Sequence, residues 1–558
     1  MLEVHDLCIS IPGRKIVENI SFTLEKGKTL GIVGESGSGK SITALSLLGL
    51  LPPGFEIQSG SAQFSMSMGK CVELFHLNKQ ELLQIRGKKI SMIFQEPLTC
   101  LNPSMLCGKQ LKEAVENNTT LSGKKAEQRC MELLSEMQLS DPLKIYFSYP
   151  HQISGGQKQR VMIAIALAGN PEILIADEPT TALDVTVQKE LLILLKQLQE
   201  KYQMGMLFIS HDLGVISEIA DEVMVMKDGQ IIEHGSLDNV FQNPKNIYTK
   251  ALIASRPSLE HNSIRLTSVE DYINGIKSKV KVTTRQTLII RSKPLFIADN
   301  LDVSYITRRN LWGKPIEHFN ALKKISFTLF EGETLGLVGE SGSGKTTLGR
   351  TLVRLIDNPS GAILYKGNDL QRMDREQLHQ FRKEVQYVFQ DPYSSLNPML
   401  TIGHILLEPL ITNNIYSNQK ERKVKVLELL ERVKLPQDSF YRYPHEFSGG
   451  QRQRIVIARA LTLNPKVIIC DEIVSALDVS VQAQILNLLD DLKEQMNLTL
   501  LFISHDLAVV HYFCNRTMVI QNGLLVEMDS SENVFTNPQS PYTRNLIYSI
   551  PGLNRSED

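Results

Sequence analysis

The pattern of apolar and polar positions predicts one succession of elements twice. The chain opens on "MLEVHDLCISI", whose alternation reads as a half-buried strand. "TLGIVGESGSGKSITALSLLGLL" and "TLGLVGESGSGKTTLGRTLVRLI" each run from a short apolar strand through a glycine loop into a helix. Three further apolar runs recur in pairs. "ISMIFQ" and "VQYVFQ" end in a glutamine before a proline turn, "PEILIADE" and "PKVIICDE" end in adjacent carboxylates, and "MLFIS" and "LLFIS" are followed by a histidine. Runs this short and apolar are read as buried strands. "QRVMIAIALAG" and "QRIVIARALTL" read as helices opening behind a glycine pair.

The pairing is a domain duplication. "FISHDL" stands at Phe208 and Phe502, "ALDV" at Ala182 and Ala476, and "SGGQ" at Ser154 and Ser448, all at one spacing. The glycine loops and the glutamines depart slightly from that spacing, so each half holds a short insertion. One is "ITRRNLWGKPIEHF" (Ile306 to Phe319), before the second loop; the other lies between Lys40 and Gln95. Length changes of this kind belong in surface connections. A chain of 558 residues has a length prior of roughly three or four domains, but the repeat argues for two larger ones, each able to bury its own core. The expected division is a first domain over 1–254, a linker over 255–294 and a second domain over 295–558. The linker sequence is polar and weakly periodic, which reads as a tether holding two domains at high local concentration.

Composition changes the picture mainly by exclusion. With 42% apolar residues, 22% charged residues and a net charge of −1, the chain is globular in type and nothing like a nucleic-acid polycation. "VMIAIALA" (Val161 to Ala168) is far short of the roughly 18 apolar residues a membrane span needs. No basic, then apolar leader opens the sequence, so a cytosolic address is expected. The seven cysteines include no C-x-x-C pair, which points away from a zinc site or a disulfide framework.

Strand, glycine loop and helix is the context in which G-x-x-x-x-G-K-[ST] cradles phosphate. The first loop is Gly34, Glu35, Ser36, Gly37, Ser38, Gly39, Lys40 and Ser41; the second is Gly339, Glu340, Ser341, Gly342, Ser343, Gly344, Lys345 and Thr346. Glycines let successive backbone N–H groups face one concavity, and the helix N-terminus adds partial positive charge. Lys40 and Lys345 are expected to reach the β- and γ-phosphates, leaving the Ser41 and Thr346 hydroxyls for Mg²⁺. One such octamer can be a turn with a chance lysine; two are hard to explain that way. The strand-end acids Asp177 and Asp471 are expected to hold the Mg²⁺ directly or through water. Glu178 and Glu472 are expected to polarise the attacking water, a role worth roughly 10²–10⁴ in rate. His211 and His505 are placed beside the γ-phosphate, although a lone histidine there reads more often as structural. Gln95 and Gln390 suit a water- or Mg²⁺-sensing side chain on a movable loop. S-G-G-Q opens a helix, so its serine and backbone N–H groups form a second anion site.

"ISGGQKQR" (Ile153 to Arg160) and "FSGGQRQR" (Phe447 to Arg454) are similar to the signature motif of ABC transporter ATP-binding subunits, and the resemblance covers both copies. It implies an α/β fold of two tandem P-loop (RecA-like) ATPase domains, each with an antiparallel β subdomain and an inserted helical subdomain. It also implies that ATP, with Mg²⁺, is sandwiched head-to-tail between one domain's phosphate loop and the other's signature. One such site would combine Lys40, Ser41, Gln95, Asp177, Glu178 and His211 with Ser448, Gly449, Gly450 and Gln451. The other would combine Lys345, Thr346, Gln390, Asp471, Glu472 and His505 with Ser154, Gly155, Gly156 and Gln157. Asp184 and Asp478 resemble the loops that meet across such an interface. "QEPLTCLNPSM", "QDPYSSLNPML", "YPHQISGGQ", "YPHEFSGGQ", "NIYTKALI" and "SPYTRNLI" are similar to the oligopeptide, dipeptide and nickel importers. That likeness implies a peripheral protein on the cytoplasmic face of the inner membrane, docked on two integral membrane permease subunits. The permeases would receive cargo from an extracytoplasmic substrate-binding protein: peptides, nickel or metallophores, or glutathione.

The departures are local. The adenine-stacking aromatic is Tyr305 in the second copy but Ile11 in the first, which is expected to weaken stacking there. Pro179 and Thr180 give way to Ile473 and Val474, a pattern similar to the partner subunit of that group and no sign of a dead site. The cysteine cluster that such subunits often carry after the ATPase core has no residues here. A soluble twin ATPase acting on ribosomes shares the motif order, but those proteins carry a long charged helical linker, whereas this one is mixed and the chain closes on "PGLNRSED". A DNA-repair twin ATPase would bring zinc-type cysteine sets. A regulator without turnover is disfavoured because both glutamates are present.

Overall fold

The computed structural model describes residues 1–66, 71–95, 100–181, 183–257, 265–275, 293–309, 315–356, 359–475 and 477–551. They fall into two compact units whose main spans are Met1–Ala254 and Ser255–Ile550. Each unit is α/β and holds two sheets.

In the first unit, β1 (Leu2–Ile11) and β2 (Arg14–Leu24) pair antiparallel. With β4 (Glu56–Ser65) and β5 (Cys71–Glu73) they make a sheet in the order β2-β1-β4-β5. The opening alternation holds as expected from Leu2 to Val4 and again from Leu7 to Ile9. It slips at Asp6, whose φ is 47°, where the pairing shifts register. Gly60 packs against this kink: a Cβ there would lie 2.7 Å from the Leu7 Cα. Period-two alternation tolerates such a bulge only where the extra residue stays unpaired.

The second sheet of this unit is built from the short apolar runs: β3 (Thr29–Val33), β6 (Ile90–Ile93), β7 (Ile173–Asp177), β8 (Gly205–Ser210), β9 (Glu222–Lys227) and β10 (Gln230–Ser236). Its order is β10-β9-β3-β8-β7-β6, parallel except where β10 closes the edge antiparallel to β9. Every residue of β3, β7 and β8 is buried, as central strands covered on both faces must be. The core lies between the two sheets: Leu2, Val4, Ile20 and Phe64 meet Ile32, Ile175, Leu207 and Met224 around Ala44 and Leu47 of the helix Lys40–Leu47. Leu111 and Val115 of the helix Cys107–Asn118 and Cys130, Leu133 and Leu134 of the helix Gly123–Glu136 bury a second, all-helical core.

The second unit repeats the plan. β11 (Pro294–Arg309), β12 (Pro315–Phe330), β14 (Ser360–Tyr365) and β15 (Asn368–Asp369) form the antiparallel sheet in the order β12-β11-β14-β15. β13 (Thr334–Val338), β16 (Val385–Val388), β17 (Val467–Asp471), β18 (Thr499–Ile503), β19 (Arg516–Gln521) and β20 (Leu524–Ser530) form the other, in the order β16-β17-β18-β13-β19-β20. The inserted segment Ile306 to Phe319 lengthens the β11–β12 hairpin; its residues 310–314 lie outside the described ones.

Of the stretch expected as a linker, residues 258–264 and 276–292 lie outside the described residues. Residues 265–275 differ from a plain tether. They fold on the second unit around a short helix, Val269–Ile273, capped by Ser268, whose hydroxyl accepts from the Asp271 N–H at 3.2 Å. Leu266, just before the helix, and Val269, its first residue, are both buried there. The buried Asn487 amide donates to the Leu266 carbonyl at 2.7 Å.

Candidate functional site

Four adjacent parallel strands of the first unit, β3, β8, β7 and β6, end at one edge, and each hands its next residues to the same crevice. β3 runs into the glycine loop, β8 into His211, β7 into Asp177 and Glu178, and β6 towards Gln95. The neighbours β13, β18, β17 and β16 do the same with the second loop, His505, Asp471 with Glu472, and Gln390. Residues widely separated in sequence are thus gathered by strand order alone.

The loops are held in their curve by glycines. At Gly34 a Cβ would sit 2.2 Å from the Met226 carbonyl oxygen, and at Gly339 it would sit 2.2 Å from that of Ile520, so no side chain fits against the end of β9 or β19. Gly39 and Gly344 enter their helices with φ of 97° and 108°, a conformation that L side chains avoid. The Lys40 Nζ donates to the Gly34 and Glu35 carbonyls at 2.7 and 2.9 Å; the Lys345 Nζ does the same to Gly339 and Glu340 at 2.7 and 2.9 Å. Both ammonium groups are buried on the loop they are expected to serve. Beside each lies a buried hydroxyl, Ser38 Oγ and Ser343 Oγ, that has no hydrogen-bond partner among the described residues. An unpaired buried hydroxyl costs about 1–3 kcal/mol, and two in matching places mark a cradle shaped for a polar guest.

The hard oxygen donors stand together. Ser41 Oγ donates to Asp177 Oδ1 at 3.0 Å, and Thr346 Oγ1 donates to Asp471 Oδ1 at 3.2 Å. A hydroxyl and a carboxylate at a phosphate cradle suit Mg²⁺, which takes few protein oxygens and completes its shell with phosphate and water. Burial pushes the Asp177 carboxyl up to about 6, against the Ser41 hydrogen bond and Lys40. Burial also raises Asp471, opposed chiefly by a hydrogen bond of 2.6 Å from the Tyr387 hydroxyl to Oδ2.

Three donors converge on one oxygen of Glu178. Gln95 Nε2 donates to Oε2 at 3.1 Å, the Thr181 hydroxyl donates at 2.9 Å, and His211 Nδ1 lies at 3.2 Å. In the second unit Glu472 Oε2 receives Gln390 Nε2 at 2.8 Å and has His505 Nδ1 at 3.4 Å, while Ser475, where Thr181 stands in the first copy, donates instead to the Glu472 main-chain carbonyl at 2.9 Å. Burial alone would raise both glutamates; the histidines together with the loop lysines, and Thr181 beside Glu178, outweigh it, so both carboxyls lie below their usual range. Burial works against a charge on His505, yet Glu472 prevails and raises it. The backbone bends where these acids sit, with φ of 47° at Glu178 and 49° at Glu472. Strain of this kind persists only where the surroundings impose it.

Each signature serine caps its own helix. Ser154 Oγ accepts from the Gln157 N–H at 3.3 Å and the Ser154 N–H donates to Gln157 Oε1 at 3.0 Å; Ser448 and Gln451 repeat this at 3.4 and 3.1 Å. The glycine pair divides its work. A Cβ on Gly155 would meet nothing within 4 Å, whereas one on Gly156 would lie 2.8 Å from Val187 Cγ1, and one on Gly450 2.3 Å from Val481 Cγ1. The first glycine leaves the helix N-terminus open, and the second lets the helix after "ALDV" pack close. Asp184 caps that helix by accepting from the Val187 N–H at 3.0 Å; Ala182 and Ala476 lie outside the described residues. Tyr305 is on β11 with its side chain exposed, and Ile11, its counterpart, ends β1.

Sequence reasoning missed Thr181, Tyr387 and two tyrosines described below. Thr181 carried a signal, standing three residues after Glu178 where a turn brings a hydroxyl back to the carboxylate. Tyr387 acts from a neighbouring strand and no local pattern marks its role; the two tyrosines stand in "NIYTKALI" and "SPYTRNLI", stretches that carry the importer likeness without pointing to the loops.

The family pattern described as "ABC transporter" matches residues 17–181 and 322–475, and that described as "Oligopeptide/dipeptide transporter, C-terminal region" matches 232–274 and 526–558. The glutathione import ATP-binding protein GsiA of Escherichia coli strain K12 is 44% identical over 543 residues, 96% of this chain and 86% of its own. Its counterpart in Shigella boydii matches to the same extent, 44% over 543 residues. A solved bacterial ABC transporter cassette is 29% identical, covering 42% of this chain and 99% of its own with a TM-score of 0.38. With both halves matched and two complete sets of loop, acid pair and signature in place, the chain belongs to the ABC transporter family of ATP-binding proteins, as a member in which two ATPase domains share one polypeptide.

Proposed function

We propose that this chain is the energy-coupling subunit of an ABC importer that takes up a peptide-like solute, glutathione among the candidates. The observation that carries this reading is the pair of glutamates, each fixed on one oxygen by a strand-end glutamine and a histidine beside a phosphate loop. The likeness to the glutathione import ATP-binding proteins and the oligopeptide/dipeptide C-terminal region supports the substrate class. Among the described residues no helix is long and apolar enough to cross a membrane, which accords with docking on two permease subunits at the cytoplasmic face and cargo delivered by an extracytoplasmic binding protein.

Within a site, Lys40 leaves the loop carbonyls for the β- and γ-phosphates; Ser41 and Asp177 would hold Mg²⁺, which would supply neutralisation of charge developing on the phosphates. Glu178 is fixed at Oε2, which leaves Oε1 to accept a proton from the attacking water; His211 orients the carboxylate and sits beside the γ-phosphate. Lys345, Thr346, Asp471, Glu472 and His505 act alike. From the family resemblance we propose that each open signature N-terminus, Ser154–Gln157 and Ser448–Gln451, would serve the γ-phosphate held by the other copy's loop. ATP therefore draws the pair together and hydrolysis releases it, and a swing from 1:99 to 99:1 asks about 5.5 kcal/mol of two bridging triphosphates.

The test is Glu178→Gln with Glu472→Gln in the full chain, purified from membranes with whatever integral subunits accompany it. Turnover falls by about 10² or more while ATP stays bound. Unchanged turnover removes the glutamates from the mechanism, and recovery on ribosomes in place of permeases removes transport.

A further inference from the structure

The geometry points to a brace on each phosphate loop, supplied by the tyrosine hydroxyl of the same copy's C-terminal region: Tyr248 for the first loop and Tyr542 for the second. The hydroxyl of Tyr542 accepts from the Glu340 N–H at 3.1 Å, and that of Tyr248 stands at 3.4 Å from the Glu35 nitrogen with the same sense. The contact joins segments some two hundred residues apart in sequence and recurs in both copies.

The placing is built the same way twice. Glu233 on β10 accepts from the Lys245 and Asn246 N–H groups at 2.7 and 3.1 Å, and Glu527 on β20 accepts from those of Gln539 and Ser540 at 2.8 and 3.0 Å. These carboxylates fix where the following helix begins. Asn246 Oδ1 then accepts from the Tyr248 N–H at 2.8 Å, and Ser540 Oγ from the Tyr542 N–H at 3.2 Å. Tyr248, in the first turn of the helix Ile247–Ala254, is buried under the Lys227 ammonium, which lies 4.9 Å from its ring centroid; Tyr542 occupies the same turn of the helix Pro541–Tyr548. Two different capping residues reach one outcome, so what the two copies share is where the hydroxyl lands.

What the brace does follows from the lysine. Lys40 and Lys345 grip the carbonyls of the first two loop residues. When the ammonium moves to a phosphate those carbonyls lose its hydrogen bonds; Glu35 and Glu340 are then held by the Ser38 and Ser343 N–H groups at the carbonyl, at 3.2 and 3.1 Å, and by the tyrosine hydroxyl at their own N–H. The hydrogen bond therefore bears most on the loop once a phosphate has taken the lysine. Tyr248 and Tyr542 are positioning residues, and nucleotide binding and docking of the C-terminal helix become reciprocally linked.

This inference rests on the two loops being nucleotide sites. The experiment uses the full chain carrying Tyr248→Phe and Tyr542→Phe together, with a fluorescent ATP analogue and Mg²⁺, and hydrogen exchange with and without ATP. The expected result is a Kd and KM raised about 2- to 10-fold at unchanged kcat, the scale of one net hydrogen bond. ATP protects residues 247–254 and 541–548 from exchange in the parent chain, and this gain is lost in the variant. Glu233→Gln with Glu527→Gln, which loosens the helix start while sparing the hydroxyls, shifts Kd in the same direction. Parent-like Kd with parent-like protection overturns the brace. So does a lower melting temperature of the empty protein with an undiminished ATP-induced rise, because that is a packing role only. A parent chain that binds no nucleotide overturns both the brace and the reading beneath it.

Discussion

At the scale of single residues the two sites differ most around the acid that follows the fourth hydrophobic residue of β7 and β17. Asp471 receives the Tyr387 hydroxyl on Oδ2 at 2.6 Å, whereas the position of Tyr387 is held by Met92 in the first copy, on β6 in register with Ile175. A hydrogen bond to a buried carboxylate contributes about 1.5–3 kcal/mol, more than a neutral one, because the alternative is a charge facing no donor. Tyr387→Phe is therefore expected to destabilise the second unit by about 1.5–3 kcal/mol in chelator without nucleotide. Met92→Leu, a volume-conserving swap on the strand paired with that of Asp177, is expected to cost less than about 1.5 kcal/mol. Urea denaturation followed by exchange at β17 and β7 separates the two. A loss below about 0.5 kcal/mol for Tyr387→Phe would mean that Asp471 does not depend on the phenol.

At the scale of elements, the strand-loop-helix is the part most open to reading from sequence, because its physics is local. Buried parallel strands are apolar without interruption, the loop needs glycines, and the helix starts at the lysine. Strand-end acids, glutamine and histidine were legible for the same reason, since each closes an apolar run. What could not be read was anything set by an encounter: the register slip at Asp6, the hydroxyl of Tyr387 arriving from the neighbouring strand, and the fold of residues 265–275, whose two buried apolar side chains, Leu266 and Val269, are too few to show a period. The glycines within one loop also look alike in sequence and differ in space. Gly34 abuts the Met226 carbonyl, where a Cβ would lie at 2.2 Å, while Gly37 has a φ of 84° and nothing within 4 Å. Gly34→Ala is expected to push the loop off β9, costing about 1–3 kcal/mol and at least roughly tenfold in nucleotide affinity. Gly37→Ala carries only the left-handed penalty of about 1–2 kcal/mol, with affinity less affected. Isothermal titration of both variants decides it, and equal losses of affinity would refute the steric argument.

At the scale of the whole chain, duplication did not produce two interchangeable halves. The oligopeptide-type C-terminal region of the first copy, matched over 232–274, is divided by the unit boundary: its beginning folds with Met1–Ala254 and its end with Ser255–Ile550. The receiving helix, Val479–Met496, is adapted to it. Asn487 is buried and donates to the Leu266 carbonyl, whereas Ile193 stands at the matching place in the first copy, 50% exposed. Asp491 pairs with Arg265 at 3.2 Å, and Glu270 lies near the Arg454 guanidinium, whose charge burial disfavours and Glu270 favours. Arg454 belongs to the signature helix Gly449–Leu461 and donates to Gln484 on the receiving helix at 2.8 Å, so the segment presses on the pair of helices that present the second signature. Leu266→Ala in the full chain is expected to cost the second unit about 2–5 kcal/mol, the range for emptying a buried leucine site. The loss should be local: amide exchange through Val479–Met496 and Gly449–Leu461 should rise by tenfold or more while Val185–Tyr202 keeps its rate, because 1.4 kcal/mol already amounts to a factor of ten. Equal acceleration in both units would show that the segment steadies the chain as a whole, and none at all would show that Leu266 contributes nothing to the fold of its second half.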